Sequence, residues 1–283
     1  MKTFFHDDLD GRAAGHVVYH EVLEGNICDG FDTKFIPINY TDKFPIETIR
    51  EGEVVYIVDF SLQVPEMEAL LLRTKNVVWI DHHKTSINKY DGVKGMDSVL
   101  GIRRDGTAGC VLTYMYLYGV EDIKDVPEYI RLIGDRDVWK FEHGQRTRDF
   151  CMGIGTLDLE PKSEDWEKAK LAIDHYVEVG SGINVYLGNW YKSYIKSWGY
   201  EVEFEGHQCL VVNGKFPAEA SDTVTEKYDI AITTAYNGEA WVITFYSRKG
   251  VDVSVIAKKY GGGGHQDAAG CVLARLPFEK KKA

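Results

Sequence analysis

Three short apolar runs in this chain each end in carboxylates or histidines, and that pattern constrains the fold more than any other feature. TFF runs into His6-Asp7-Asp8-Leu9-Asp10-Gly11, EVVYIV into Asp59, and VVWI into Asp81-His82-His83. Continuous apolar runs of this length suit strands buried on both faces. Burying unpaired charge is costly, so ligand-type groups at three such strand ends call for a bound cation. In open α/β sheets, active sites form at the carboxyl ends of the strands. In an extended chain His6, Asp8 and Asp10 share one face, with Asp7 and Leu9 on the other. Gly11 would then turn the chain sharply into a helix. Helix capping by Asp8 or Asp10 accounts for either residue alone but not for the set.

The remaining periodicities supply the frame. Helical spacing covers 11–24, with Ala14, Val17, Val18 and Val22 on its apolar face, and strands are expected at 1–6, 34–38 and 77–80. Ser61 is placed to cap the helix carrying Met67 to Leu72, and Asp105 to cap a helix running to Tyr118. A helical stretch at 127–133 leads into Gly134-Asp135-Arg136-Asp137. Strands alternating with helices predict an α/β fold with a doubly wound, largely parallel sheet. Residues 163–197 read as a long helical connector, broken at Gly180 and Gly182. Its aromatic residues, Trp166 to Trp198, are read as helix packing rather than as base-stacking platforms. Strand-like segments at 200–205, 208–213, 229–235 and 240–246 predict a smaller mixed α/β domain, and 279–283 is expected to fray. The expected domains are thus 1–160, a connector over 161–198, and 199–283.

Length and composition narrow the function. At 283 residues and 44% hydrophobic, the chain has material for two cores. Its net charge of −11 argues against wrapping long duplex nucleic acid, which needs a basic face. A small anion in a metal-lined pocket remains compatible with it. Five dispersed cysteines without a C-x-x-C pair predict free thiols in a reducing compartment. With no signal-like leader and no apolar run of spanning length, the expected location is cytoplasmic, away from membranes.

Taken together, HDDLDG, VDFS, DHH and GDRD resemble the four-motif signature of the DHH phosphoesterase superfamily. Gly261-Gly262-Gly263-Gly264-His265-Gln266-Asp267-Ala268-Ala269-Gly270 is similar to the glycine-rich motif of the domain commonly paired with it. The resemblance implies two divalent ions: His6 and Asp8 hold one, Asp10, His82 and Asp135 the other, and Asp59 bridges them. Either carboxylate of GDRD could serve by residue type; the family order favours Asp135. Carboxylate and imidazole ligands without thiolate suit manganese, magnesium or cobalt, with manganese the first expectation. Such an ion pair activates water and neutralises phosphoryl charge. Asp59 and His83 carry the catalysis that the resemblance implies, His83 beside the scissile phosphate and Asp81 orienting a histidine.

For the substrate, the resemblance implies contacts from His265 and from the amides of Gly262, Gly263 and Gly264, with Arg248 a candidate for a terminal phosphate. Arg103 and Arg104 read as surface charges. The expected reaction is hydrolysis of short oligonucleotides to mononucleotides; a homodimer is compatible with it. Alternatives are a cyclic or linear dinucleotide phosphodiesterase, a 3′,5′-bisphosphonucleoside phosphatase, a pyrophosphatase or polyphosphatase, and a non-catalytic nucleotide-binding module.

Overall fold

The computed structural model describes residues 1–23, 25, 33–214, 216, 224, 227–247, 249–264 and 266–279. Two compact units divide the chain, Met1–Asn184 and Val185–Ala283. No helix among the described residues is long and apolar enough to cross a membrane.

Unit 1 is built on four strands: β1 (Lys2–His6), β2 (Lys34–Ile38), β3 (Val55–Val58) and β4 (Val77–Ile80). All pair in parallel, in the order β2-β1-β3-β4. Side chains alternate across the sheet. Phe5, Tyr56, Val58, Val78 and Ile80 enter one core, and Phe4, Val55, Ile57, Val77 and Trp79 enter a second core on the other face. Helix α1 (Leu9–Leu23) covers the first face with Ala13, Ala14, Val17 and Val18, and α2 (Val64–Arg73) covers the second with Met67 and Leu70. Two covered faces explain why the strands read as unbroken apolar runs. The strand order reverses at β1, so β1 and β3 lie side by side with their carboxyl ends at the switch point, where open α/β sheets leave a crevice.

The further α-helices are α3 (Lys84–Ile87), α4 (Gly109–Tyr118), α5 (Glu128–Asp137), α6 (Gln145–Ile154) and α7 (Asp165–Leu171) in unit 1, and α8 (Ile173–Trp198), which begins in unit 1 and ends in unit 2. Several boundaries differ from expectation for physical reasons. α1 begins at Leu9, and Gly11 is not a turn. A Cβ there would lie 2.0 Å from the His6 carbonyl oxygen, so Gly11 lets α1 press against β1. Glu24, the expected end of this helix, lies outside the described residues. Gln63, not Ser61, caps α2, its amide donating to Glu66 Oε2 at 3.0 Å. α4 starts at Gly109, not near Asp105, which instead sits 3.6 Å from Lys84. Asp135 and Asp137 lie inside α5, not beyond it.

The expected break at Gly180 and Gly182 is absent: α8 passes through both, and the chain interrupts earlier, at Ala172. Gly180 has a packing role. A Cβ on Gly180 would lie 1.7 Å from the Asp149 carbonyl oxygen, and one on Gly153 would lie 1.9 Å from that of Tyr176. The two glycines let α6 and α8 touch backbone to backbone. Gly180→Ala is therefore expected to force the helices apart and cost about 2–3 kcal/mol. Gly182 faces open space, so Gly182→Ala should stabilise by about 0.5–1 kcal/mol through helix propensity. Thermal unfolding of the pair checks this: the two midpoints should move in opposite directions.

Unit 2 contains β5 (Tyr200–Phe204), β6 (His207–Asn213), β7 (Ile230–Tyr236), β8 (Trp241–Tyr246), α9 (Val253–Lys259), β9 (Gly263–Gly264) and β10 (Ala268–Leu273). Its mixed sheet runs β5-β6-β7-β8-β10-β9, with only β6 and β7 parallel. α9 packs Val253, Ile256 and Ala257 onto one face; Tyr191, Tyr194 and Ile195 of α8 pack against Leu210 and Val212 on the other. Tyr191 and Tyr194 thus serve packing, whereas Tyr186, Trp190 and Trp198 of the same helix are exposed.

Candidate metal centre

The carboxyl ends of β1, β3 and β4 bring His6, Asp59 and the Asp81-His82-His83 turn together. Asp59 follows β3 directly and is fully buried. Its φ is +54°, a left-handed conformation that Asp tolerates better than most residues. Around it, His6 Nδ1 lies 3.7 Å from Oδ2 and 2.8 Å from Asp8 Oδ2. His82 Nε2 lies 3.1 Å from Asp59 Oδ1, 3.7 Å from Asp10 Oδ2 and 3.2 Å from Asp137 Oδ2. Two ligand clusters result, His6–Asp8–Asp59 and Asp10–His82–Asp137, and Asp59 also groups with His82 and His83.

His6, Asp8 and Asp10 converge by a route other than an extended strand. β1 ends at His6, the chain turns, and Asp10 stands in the first turn of α1. Asp7 points aside into an ion pair with Arg12 at 2.7 Å. Asp8 does two jobs: Oδ1 accepts the Gly11 amide at 2.9 Å, capping α1, while Oδ2 faces His6. Asp10 is held across 99 residues of sequence. Its carboxylate accepts the amides of Gly109 at 2.6 Å and Cys110 at 2.9 Å, so it satisfies the N-terminus of α4. Gly109 has no room for a side chain, since a Cβ would lie 2.6 Å from that of Asp59. Nothing local in the sequence marks Gly109 or Cys110 as part of the site.

Asp135 is where the structure departs from the sequence-based assignment. Residues two apart on a helix point about 200° apart. Asp137 faces His82. Asp135 faces the following loop, where it accepts the amides of Glu142 at 2.8 Å and His143 at 3.2 Å and the Thr147 hydroxyl. Its oxygens are committed to that loop, and Asp137 takes the position expected of Asp135 in the cluster.

Asp81 accepts the amides of His82 at 2.7 Å and His83 at 3.2 Å and the Ser61 hydroxyl, and it pairs with His83 Nδ1 at 2.7 Å. That bond occupies Nδ1 and leaves Nε2 as the ring atom open to a substrate. Arg103 reaches the carbonyls of Val99, Leu100 and Trp79 and lies over the Trp79 ring, a structural role. His265 and Arg248 lie outside the described residues. Of the glycines, Gly261 and Gly262 donate to the carbonyls of Lys258 and Ala257, closing α9, and Gly263–Gly264 forms the edge strand β9. A Cβ on Gly262 would lie 2.0 Å from the Gly270 carbonyl oxygen, so this residue is constrained by packing.

Electrostatics distinguish this cluster from an ordinary ion-pair network. His6 Nδ1, both Asp59 oxygens, His82 Nε2 and Asp137 Oδ2 are buried without a hydrogen-bond partner, although native structures satisfy nearly all such atoms. Burial, and then neighbouring carboxylates, push Asp10, Asp59 and Asp137 well above the usual carboxylate range. His6 rises to about 10: burial lowers it, but the nearby carboxylates of Asp59 and Asp8 outweigh that. His83 rises to about 9, burial again being outweighed, here by Asp81. A donor set of buried carboxylates and imidazoles, short of positive charge, fits divalent cations of the manganese and magnesium type.

A pH dependence follows. Each of these groups keeps its proton to higher pH in the metal-free fold than in the unfolded chain. The folded state then binds more protons, so its stability falls as pH rises. For the carboxylates the loss starts from the unfolded value of 3.8. For His6 and His83 it runs from 6.5 up to about 10 and about 9. A divalent ion replaces those protons. The rise in melting temperature on adding manganese should therefore be larger at about pH 8.5 than at about pH 6. Equal rises would contradict the ligand set.

The fold and the C-terminal sequence match known proteins. Residues 211–282 match the DHHA1 domain family. Uncharacterized protein R106 of Acanthamoeba polyphaga mimivirus, a curated relative, is 22% identical over 86% of this chain, and the chain spans 59% of that protein's length. The pGpG-specific phosphodiesterase PggH from Vibrio cholerae aligns over 96% of this chain and 93% of its own, with a TM-score of 0.53 and 13% identity. An exopolyphosphatase-related protein from Bacteroides fragilis aligns over 97% and 87%, with a TM-score of 0.50 and 12% identity. The second unit thus carries a match to the DHHA1 domain family, the chain shares its fold with these proteins, and candidate metal ligands gather at the strand ends of its first unit.

Proposed function

We propose that the chain is a divalent-metal-dependent phosphoesterase, and within that class a phosphodiesterase that cleaves short oligonucleotides to nucleoside monophosphates. The observation that carries the reading is the set of partnerless buried ligand atoms centred on Asp59, with His83 beside them. His6, Asp8, Asp10, Asp59, His82 and Asp137 would hold the metal, with Asp59 a member of the first cluster and 3.1 Å from His82 of the second. Bound there, two divalent ions supply charge for the phosphoryl oxygens and lower the pKa of water.

The chain's own residues do the rest. Asp81 fixes the ring of His83, so that Nε2 can meet a phosphate oxygen or protonate the leaving oxygen. The α4 N-terminus holds Asp10 in place without spending a side chain. The net charge of −11 favours a short anionic substrate over a long polymer. The likeness in fold to a pGpG-specific phosphodiesterase supports a diester over inorganic pyrophosphate.

Incubation with manganese and a substrate panel tests this. The panel holds two- to five-nucleotide RNAs, a cyclic dinucleotide, a 3′,5′-bisphosphonucleoside and pyrophosphate, each with a chelator control. Chelator-sensitive release of mononucleotides from the short RNAs is the expected result. Turnover of another member alone would replace the substrate and keep the metal chemistry. No turnover with metal bound would overturn the enzymatic reading.

A further inference from the structure

A cavity of about 200 Å³ opens beside the metal centre, within unit 1. Its apolar lining includes Phe44 and Phe60, both almost fully buried, and its polar lining includes Asp42 and Glu66. Tyr40 forms the wall toward the metal ligands. The Tyr40 ring lies 4.6 Å from that of Phe60, 5.7 Å from that of His6 and 5.9 Å from that of His83. The ring packs on Phe60, yet the residue is 43% exposed. A tyrosine braced on one aromatic neighbour and still exposed next to a histidine of the centre can act as a stacking platform. The cavity also shares Ser61 with the centre, since this residue lines it and donates to Asp81.

We propose that this cavity is a nucleobase subsite selective for guanine, holding the base of a nucleotide whose phosphate sits at the metal centre. The inference rests on the phosphodiesterase reading. Its size suits one flat ring system, whereas drug-sized ligands take about 300–1,000 Å³. Its carboxylates repel phosphate and can only accept hydrogen bonds. Asp42 spends Oδ2 on the Asn39 amide and Glu66 spends Oε2 on the Gln63 amide, so each has a second oxygen for a ligand. Guanine presents adjacent ring N–H and amino donors on one edge, which the remaining carboxylate oxygens can accept. Uracil presents a single N–H flanked by carbonyls, which a carboxylate repels. Neutral base and charged phosphate are thereby sorted to opposite sides of Tyr40.

Calorimetric titration of the full chain with GMP and with UMP, in the presence of manganese, tests the subsite. GMP should bind about tenfold more tightly than UMP. Tyr40→Ala should weaken GMP binding about tenfold, the usual worth of a stacked base. Tyr40→Phe keeps the ring and should bind nearly as the wild type does, and Glu66→Gln should narrow the gap between GMP and UMP. Equal affinities in the wild type, or GMP binding unchanged by Tyr40→Ala, would overturn the proposal. Turnover of pGpG and pUpU, measured alongside, separates the two readings. Tyr40-dependent GMP binding without any turnover keeps the subsite and removes the phosphodiesterase. Turnover that Tyr40→Ala leaves unaffected, with GMP and UMP bound alike, does the reverse.

Discussion

Asp59→Asn should cut phosphodiesterase turnover by about a thousandfold while leaving the metal-free protein more stable than the wild type. The two effects share one cause. Asp59 is fully buried among Asp8, Asp10 and Asp137, and its carboxylate oxygens have no hydrogen-bond partner. A buried charge without a partner is a liability to the fold. Its place in the site gives the reason: Asp59 belongs to the His6–Asp8 cluster and lies 3.1 Å from His82 of the other. Asparagine tolerates the left-handed backbone at this position, so the variant tests charge rather than conformation. Removing preorganised electrostatic support of a phosphoryl transition state costs about 10²–10³ in rate, and losing the shared ligand should reach the upper end. The melting temperature of the chelated variant should rise by several degrees. Full activity in Asp59→Asn would remove the bridging role, and a less stable metal-free variant would remove the electrostatic argument.

The second large effect separates the two carboxylates of α5. Asp137→Asn should lose the metal held with Asp10 and His82, and most of the activity, with the fold unchanged. Asp135→Asn should leave the metal ligands intact and instead loosen the loop at 138–147, where Asp135 accepts two amides and the Thr147 hydroxyl. Losing charge-assisted hydrogen bonds of this kind costs about 1.5–3 kcal/mol. Metal content by elemental analysis, paired with thermal unfolding, distinguishes them. Metal loss in Asp135→Asn with metal retained in Asp137→Asn would reverse the assignment.

The α5 carboxylates show where sequence reasoning ran out. Gly134-Asp135-Arg136-Asp137 has the composition of a turn, because Gly and Asp are poor helix formers. Tertiary packing overrides that: α5 buries Ile130, Leu132 and Ile133, and Gly134 fits against Val111 and Ala108, leaving no room for a Cβ. Once the helix reaches Asp137, its periodicity decides which carboxylate faces His82. The strand ends were legible because a sheet buried on both faces writes unbroken apolar runs, so His6, Asp59 and His82 stand out at their borders. Contacts made at long range were not. The cap that Asp10 places on α4, the backbone contact at Gly180 and the Tyr40 wall each depend on a partner that only the folded chain supplies. A glycine reads as a breaker until something is seen to pack where its Cβ would be.

Whether Asp59 stands between two metal positions is measured directly by anomalous diffraction from crystals grown with manganese. Two peaks about 3.5–4 Å apart are expected, one within ligand distance of His6 and Asp8, the other of Asp10, His82 and Asp137, with Asp59 touching both. A single peak away from Asp59, or one bound by Asp135, would contradict it.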